Sequence, residues 1–218
     1  MIYKKETTSS TMDDAKAAIK SNTAKHGDVF TAKNQTQGRG RRKRAWASPA
    51  GNLYYTIILK DVDNPQRLGF YLSLALAELI DGQVKWPNDV LLNGKKTAGI
   101  LIEAYRDFMV VGIGVNIDHA PTDLPYPATC LKDAGVLITH DDLLLKLTKS
   151  ILKTLLLPFA DVLTEWQERV LFLNEKITVR LPDQDITGVF KGVDADGFLL
   201  LETQIGLQKF MIGDVFAG

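Results

Sequence analysis

The sequence contains a single cysteine, Cys130, only three histidines, and no excess of charge of either sign. One thiol cannot close an intrachain disulfide, so nothing marks the chain for an oxidising compartment. Lys+Arg and Asp+Glu are both 26, so net charge offers no argument for a nucleic-acid or membrane-surface partner. Long apolar runs are also missing: Leu72 to Ile80 and Ile151 to Leu157 fall well short of the roughly 20 residues of a membrane span. The first residues, MIYKKETTSST, lack the apolar core of a secretory signal. His26, His119 and His140 show no partner spacing for a triad or a metal and are expected at the surface. The expected location is cytoplasmic, with no membrane and no DNA partner.

What is present is ordinary globular composition, 45% hydrophobic and 24% charged over 218 residues, enough for one substantial domain and a small second one. Thr11 followed by Asp14 resembles a helix start, and Met12, Ala15, Ala18 and Ile19 recur at helical spacing. Asp28 to Lys33 reads as a strand, and Leu53 to Leu59 as a buried one rich in aromatic and β-branched residues. Pro65 opens a helix to about Ile80, since its missing N–H is not needed in a first turn. Gln83 to Trp86, Val90 to Leu92, Thr97 to Tyr105 and Phe108 to Val115 read as strands, with Asn93-Gly94 and Arg106-Asp107 as hairpin turns. Two helices, Asp141 to Leu157 and Phe159 to Leu171, flank Pro158. Beyond Asn174 only short strands follow: Lys176 to Leu181, Thr187 to Val193, Phe198 to Glu202 and Leu207 to Ile212. The expectation is an α+β chain: a mixed or antiparallel sheet flanked by helices over 1–173, and a small β-barrel domain over 174–218.

Three segments carry chemistry. The polar stretch from Asn34 to Asn52 contains GRGRRKRAWASP, in which Arg39, Arg41, Arg42, Lys43 and Arg44 fall within six residues. Glycines let backbone approach a ligand and arginine forks match phosphate or carboxylate oxygens. Taken alone, the loop is an anion site, a solvated basic loop or a nucleic-acid contact. It is neither a P-loop, lacking GxxxxGK[ST], nor a dinucleotide GxGxxG, since position 43 is Lys. KWPNDVLLNGKKTAGILIE places Lys85, Asn88, Asp89 and Lys96 among residues suited to a buried sheet, which suggests a lined pocket. Lys95 belongs to an exposed turn. In VVGIGVN, Gly112 and Gly114 share one face of a strand, where a bulge and a ligand are equally good reasons for them.

In combination these segments closely resemble biotin protein ligases. Ser10-Thr11, GRGRRKRAW, KWPND, KTAGIL, GIGVN and ATCL (Ala128 to Leu131) follow the family's order and approximate spacing over residues 1 to 131. The resemblance implies a class II synthetase-like catalytic domain with an SH3-like C-terminal barrel. It implies that biotin attacks the α-phosphate of ATP, with Mg²⁺, and that a lysine of a biotin carboxyl carrier protein domain then attacks biotinyl-AMP. It assigns Ser10, Thr11, Gln35, Gly38 and Arg39 to the biotin ureido ring and Gly112 to the back of that site. Arg41 would hold the reactive adenylate, Arg39 and Arg42 would face phosphate, and Trp46 and Asn116 would meet adenine. Lys96 would sit between the biotin carboxylate and the α-phosphate, and Lys85, Asn88 and Asp89 would line the same pocket.

Three positions depart from the family pattern. Met12 replaces a frequent Asn and is expected to face the helix interior. Lys43 replaces a frequent Gly and is expected to stiffen the loop or add a phosphate contact. Cys130 replaces a common Ser and is read as structural. Some members begin with a DNA-binding helix-turn-helix; the Ser-Thr motif at residue 10 leaves no room for one, so a ligase without that role is expected. Pairing of two copies through sheet edges stays open. The competing readings are a lipoate-type adenylate ligase, a non-catalytic biotin binder, and a nucleic-acid-binding protein using residues 38 to 44.

Overall fold

Alternating apolar residues and tight turns fold the first half of the chain into one seven-stranded sheet. The computed structural model describes residues 1–218. Its strands β1 (Ile2–Thr8), β2 (Val29–Gln35), β3 (Leu53–Lys60), β4 (Gln83–Lys85), β5 (Asp89–Leu92), β6 (Lys95–Tyr105) and β7 (Phe108–Val115) lie in the order β1-β2-β3-β7-β6-β5-β4. β1 is parallel to β2 and all other neighbours are antiparallel, so the sheet is mixed. Asn93 and Gly94, both at positive φ (51° and 71°), make the tight turn between β5 and β6. β1 has no counterpart among the sequence expectations. Five of its seven residues are exposed, so it lacks the alternation that marks a half-buried strand.

Because successive side chains of a strand point to opposite faces, β3 and β7 serve two cores at once. Leu53, Tyr55, Ile57 and Leu59 of β3 and Val111, Ile113 and Val115 of β7 enter a large cluster with α2 (Leu68–Ile80), α3 (His140–Thr154) and α4 (Phe159–Arg169). On the other face Ile58 and Val110 join Phe30 and the Met12, Ala15 and Ile19 of α1 (Thr11–Lys20). Ser10, not Thr11, is the last extended residue before α1, which frees the Thr11 side chain for other contacts. Pro65 opens a 3-10 turn, Pro65–Arg67, and the α-helix proper begins at Leu68. Trp166 of α4 is 1% exposed, and its indole N–H donates to Ser73 Oγ at 3.0 Å, so its burial leaves no polar group unpaired.

The C-terminal strands β8 (Lys176–Arg180), β9 (Asp185–Val193), β10 (Leu199–Thr203), β11 (Gly206–Phe210) and β12 (Asp214–Ala217) form a second antiparallel sheet. Its order is β11-β10-β9-β8-β12, with β11 and β12 as the two edges. Ile177, Val179, Phe190, Leu199, Leu201 and Val215 belong to the same buried cluster as Leu72 and Val84. At about 1.5–3 kcal/mol per fully buried aliphatic or aromatic side chain, this shared core fixes the second sheet against the first. The contact matters for the site, because β12 arrives beside the basic loop. No helix is long and apolar enough to cross a membrane.

Candidate active site

The face of the large sheet that carries α1 has three glycines where β3, β7, β6 and β5 meet. Register places Tyr54, Gly114, Gly99 and Asp89 in one row across the four strands, and Thr56, Gly112 and Leu101 in the next. The three glycines carry no side chain there, and the room they leave is taken by the Trp46 ring, over Gly99 and Gly114, and by Met12, over Gly112. Over this face lies a cavity of about 580 Å³, within the range of small-molecule sites. Six basic side chains line it, Arg39, Arg41, Arg44, Lys85, Lys96 and Arg180, against two carboxylates, Asp89 and Asp214. In a chain of zero net charge, positive charge is thus concentrated at one place.

At the α1 end, the Gln35 side chain is held from both sides. Its Oε1 accepts from the Thr11 backbone N–H at 2.9 Å and from Thr11 Oγ1 at 3.2 Å, and its Nε2 donates to Ser48 Oγ at 3.0 Å. Thr11 Oγ1 also lies 2.8 Å from Thr56 Oγ1, and Ser10 completes this polar wall. Met12 does not simply face the helix interior. It is buried and also lines the cavity, its Sδ only 2.7 Å from where a Gly112 Cβ would stand. Met12 therefore covers the strip that Gly112 leaves open.

At the other end, Lys96 Nζ stands 2.8 Å from Asp89 Oδ1 and over the rings of Trp46 and Tyr126, 5.6 Å and 5.3 Å from their centroids. The ion pair is close but misaligned for a hydrogen bond, so Asp89 Oδ1 is buried with none; the Trp46 indole N–H is buried without an acceptor as well. The Trp46 ring packs against Gly99 and Gly114, in space that a side chain at either would fill. Burial pulls the Lys85 ammonium below its usual range; neighbouring Asp89 opposes this and Lys96 adds to it. Arg41 is lowered too, first by burial, with Asp214 opposing and Arg42 and Arg44 reinforcing. Its Nη1 donates to Asn88 Oδ1 at 3.1 Å, and Asn88 is in turn clamped to Ile100 through both backbone and side chain.

Residues 5–118 match the family model described as the Biotin/lipoate A/B protein ligase family, and residues 172–218 that of the Biotin protein ligase C terminal domain. The chain belongs to the biotin/lipoate A/B protein ligase family. It is 32% identical to the biotin--[acetyl-CoA-carboxylase] ligase of Mycobacterium tuberculosis, over 95% of this chain and 85% of that one. It is 30% identical to the bifunctional ligase/repressor BirA of Bacillus subtilis, over 92% of this chain and 69% of that one. The biotin protein ligase from Aquifex aeolicus in complex with biotin and ATP superposes with a TM-score of 0.84 at 29% identity, covering 99% of this chain and 97% of that one.

Of the residues the family resemblance singles out, Ser10, Thr11, Gln35, Arg39, Arg41, Trp46, Lys85, Asn88, Asp89, Lys96 and Gly112 line the one cavity. Gly38, Arg42 and Asn116 do not. Gly38 lies against Ser48 and Trp46, in a space with no room for a side chain. Asn116 is buried and donates through Nδ2 to Thr129 O at 3.2 Å, tying the end of β7 to the segment after Tyr126. Arg42 turns to Asp214. Arg42 and Lys43 both adopt the left-handed conformation (φ 53° and 59°), which explains why glycine suits position 43; Lys43 itself is exposed. Sequence reasoning passed over Met12, Arg44, Tyr126 and Asp214 as cavity residues. Arg44 had a signal, since it belongs to the basic loop. Asp214 had none, lying 170 residues from the arginine it pairs with.

Arg39 is the outer clasp. Its Nη1 is 2.9 Å from Asp13 and its Nη2 3.3 Å from Glu103, which also takes Lys16 at 2.6 Å. Burial pushes the Glu103 carboxyl up, but hydrogen bonds from Lys16 and Arg39 outweigh it and hold the group below the usual glutamate range. A depressed folded value means that this stabilisation is fully present above the unfolded pKa of about 4.3 and is lost as pH falls through the folded one. The melting-temperature gap between wild type and Glu103→Gln should therefore be constant above about pH 5 and close toward more acid pH. A gap of the same size at every pH would remove this ion cluster as its source.

Proposed function

We propose that this cavity binds biotin against the Ser10–Thr11–Gln35 wall and ATP against the arginine loop, and joins them as biotinyl-5′-AMP. The observation that carries the reading is the concentration of six basic side chains around one cavity in an otherwise neutral chain. The first step brings an anionic nucleophile to a polyanion, so charge neutralisation and positioning are what the protein must supply. In this reading Lys96, a cation in the cavity wall, neutralises the biotin carboxylate and the α-phosphate as they approach. The carboxylate oxygen bonds to the α-phosphorus, the bond to the β-phosphate bridging oxygen breaks, and pyrophosphate leaves. Arg41 and Arg39 then hold the mixed anhydride. In the second step a lysine amine of a biotin carboxyl carrier protein domain attacks the acyl carbon, the amide forms and AMP departs.

The buried Trp46 N–H has no protein hydrogen-bond acceptor, and Asp89 Oδ1 has the Lys96 ion pair but no hydrogen bond, as polar groups do where a ligand supplies the missing contact. We read Trp46 as the adenine platform, with Asn116 behind it fixing the adjoining segment. Mg²⁺ would enter on the ATP phosphates. The cavity offers only Asp89 and Asp214, and no group of three His, Cys, Asp or Glu gathers in the chain, a donor set that fits an ion carried by phosphate oxygens. There it would neutralise phosphate charge. Residues 174–218 are read as a small second domain of SH3-like barrel type. A homodimer has the open edge of β1 available to it, and the expected setting is the cytoplasm, where carboxylase acceptors and ATP meet.

Gly114→Ala tests the packing of Trp46. Its methyl would collide with the Trp46 ring, a rigid group that cannot yield without moving the loop. The expected result is a kcat/KM for ATP lower by about ten- to a hundredfold, with less effect on KM for biotin. Unchanged ATP kinetics would mean that Trp46 does not pack on nucleotide here.

A further inference from the structure

The arginines of the basic loop already hold an anion, and it comes from the other sheet. Asp214, the first residue of β12, has a side chain only 17% exposed. Its Oδ1 and Oδ2 each accept from Arg44 Nη2 at 3.2 Å, and Oδ2 accepts from Arg42 Nη1 at 3.2 Å. Arg41 Nη1 stands 3.6 Å from Oδ1 and donates to the preceding carbonyl, Gly213 O, at 3.4 Å. One carboxylate thus faces three guanidiniums, an arrangement whose chemistry is that of a phosphate cradle. The loop is closed on itself around this contact: Gly40 N–H donates to Arg44 O at 2.7 Å, and Arg44 N–H to Arg41 O at 3.1 Å. That closure requires Arg42 and Lys43 to sit left-handed side by side, at roughly 1–2 kcal/mol each. An internal anion at the centre offsets both the strain and the mutual repulsion of the arginines.

We propose that Asp214 is a positioning residue that acts as a built-in substitute for phosphate, holding the arginine loop in shape and competing with the ATP phosphates for Arg41 and Arg44. This rests on the reading of the loop as the phosphate site and gives the C-terminal sheet a part in the first half-reaction. Asp214 and a triphosphate cannot both be fully served by the same guanidiniums, since two anions drawn to one cluster repel each other. The carboxylate therefore sets how tightly ATP is held, and ATP entry requires an exchange of partners at Arg41 and Arg44.

The test compares wild type, Asp214→Asn and Asp214→Glu. Asn keeps the shape and removes the charge; Glu keeps the charge. Binding of inorganic tripolyphosphate is measured by calorimetry without biotin, and KM for ATP and kcat are measured in biotin-dependent pyrophosphate release. Asp214→Asn is expected to bind tripolyphosphate about tenfold tighter and to lower KM for ATP by a similar factor, a larger change than in kcat. Asp214→Glu is expected to stay near wild type in tripolyphosphate affinity. A loss of fold alone would weaken both measures, so tighter binding cannot come from damage. Equal or weaker tripolyphosphate binding by Asp214→Asn overturns the proposal. If wild type releases no pyrophosphate with biotin, the ligase reading fails, while the calorimetric comparison still decides the role of Asp214.

Discussion

Lys96→Ala should abolish biotin-dependent release of pyrophosphate from ATP, with kcat lower by at least about 10²–10³. The size follows from the role proposed for Lys96: a single cation, set over the Trp46 and Tyr126 rings, that would meet the charge building on the attacking and attacked groups. The fold should survive, because Lys96 is held in the sheet by its backbone, its N–H donating to Pro127 O and its carbonyl accepting from Thr129, both at 2.9 Å. Truncation does leave Asp89 without its cation, and an unpaired carboxylate at 19% exposure costs stability. Lys96→Ala combined with Asp89→Asn is the matching control. It should recover melting temperature and recover no activity. Full turnover by Lys96→Ala would remove Lys96 from the chemistry.

Arg41→Gly should act on the second half of the reaction instead. Losing a charge-assisted contact worth about 1.5–3 kcal/mol should speed escape of biotinyl-AMP by about ten- to a hundredfold. Free adenylate would accumulate in the medium, and lysines of an unrelated protein added to the reaction would become biotinylated. Arg41 is held by Asn88 and by the C-terminal sheet, so its guanidinium is fixed before any ligand arrives. Chromatography of the released adenylate reads the effect directly. Retention as tight as in wild type would assign the holding role to another arginine of the loop.

Much of the site was legible because its chemistry lies in contiguous runs. GRGRR, KWPND and KTAGIL each place several lining residues within a few positions, and strand alternation puts Gly112 and Gly114 on one face together. The hairpin signals at Asn93-Gly94 and Arg106-Asp107 set the order of β5, β6 and β7. What escaped was tertiary. β1 is an exposed edge strand whose pairing comes from β2 and not from its own pattern. β12 is short, and its one fully buried residue, Val215, gives no alternation to read. Met12 is buried with Ala15 and Ile19 as helical spacing indicates; periodicity does not show that this buried side of α1 is also a wall of the cavity. Asp214 could not be found at all, since a lone acid after a glycine acquires meaning only when packing of the second sheet brings it to the arginines.

The decisive measurement is pyrophosphate release from Mg²⁺-ATP by the purified chain with biotin, with lipoate, and with neither. Release that depends on biotin, with none on lipoate, is the expected result and makes biotin the substrate that this chain activates. A folded sample that releases no pyrophosphate with biotin, or releases it with lipoate instead, would contradict the assignment of biotin as the substrate of this site.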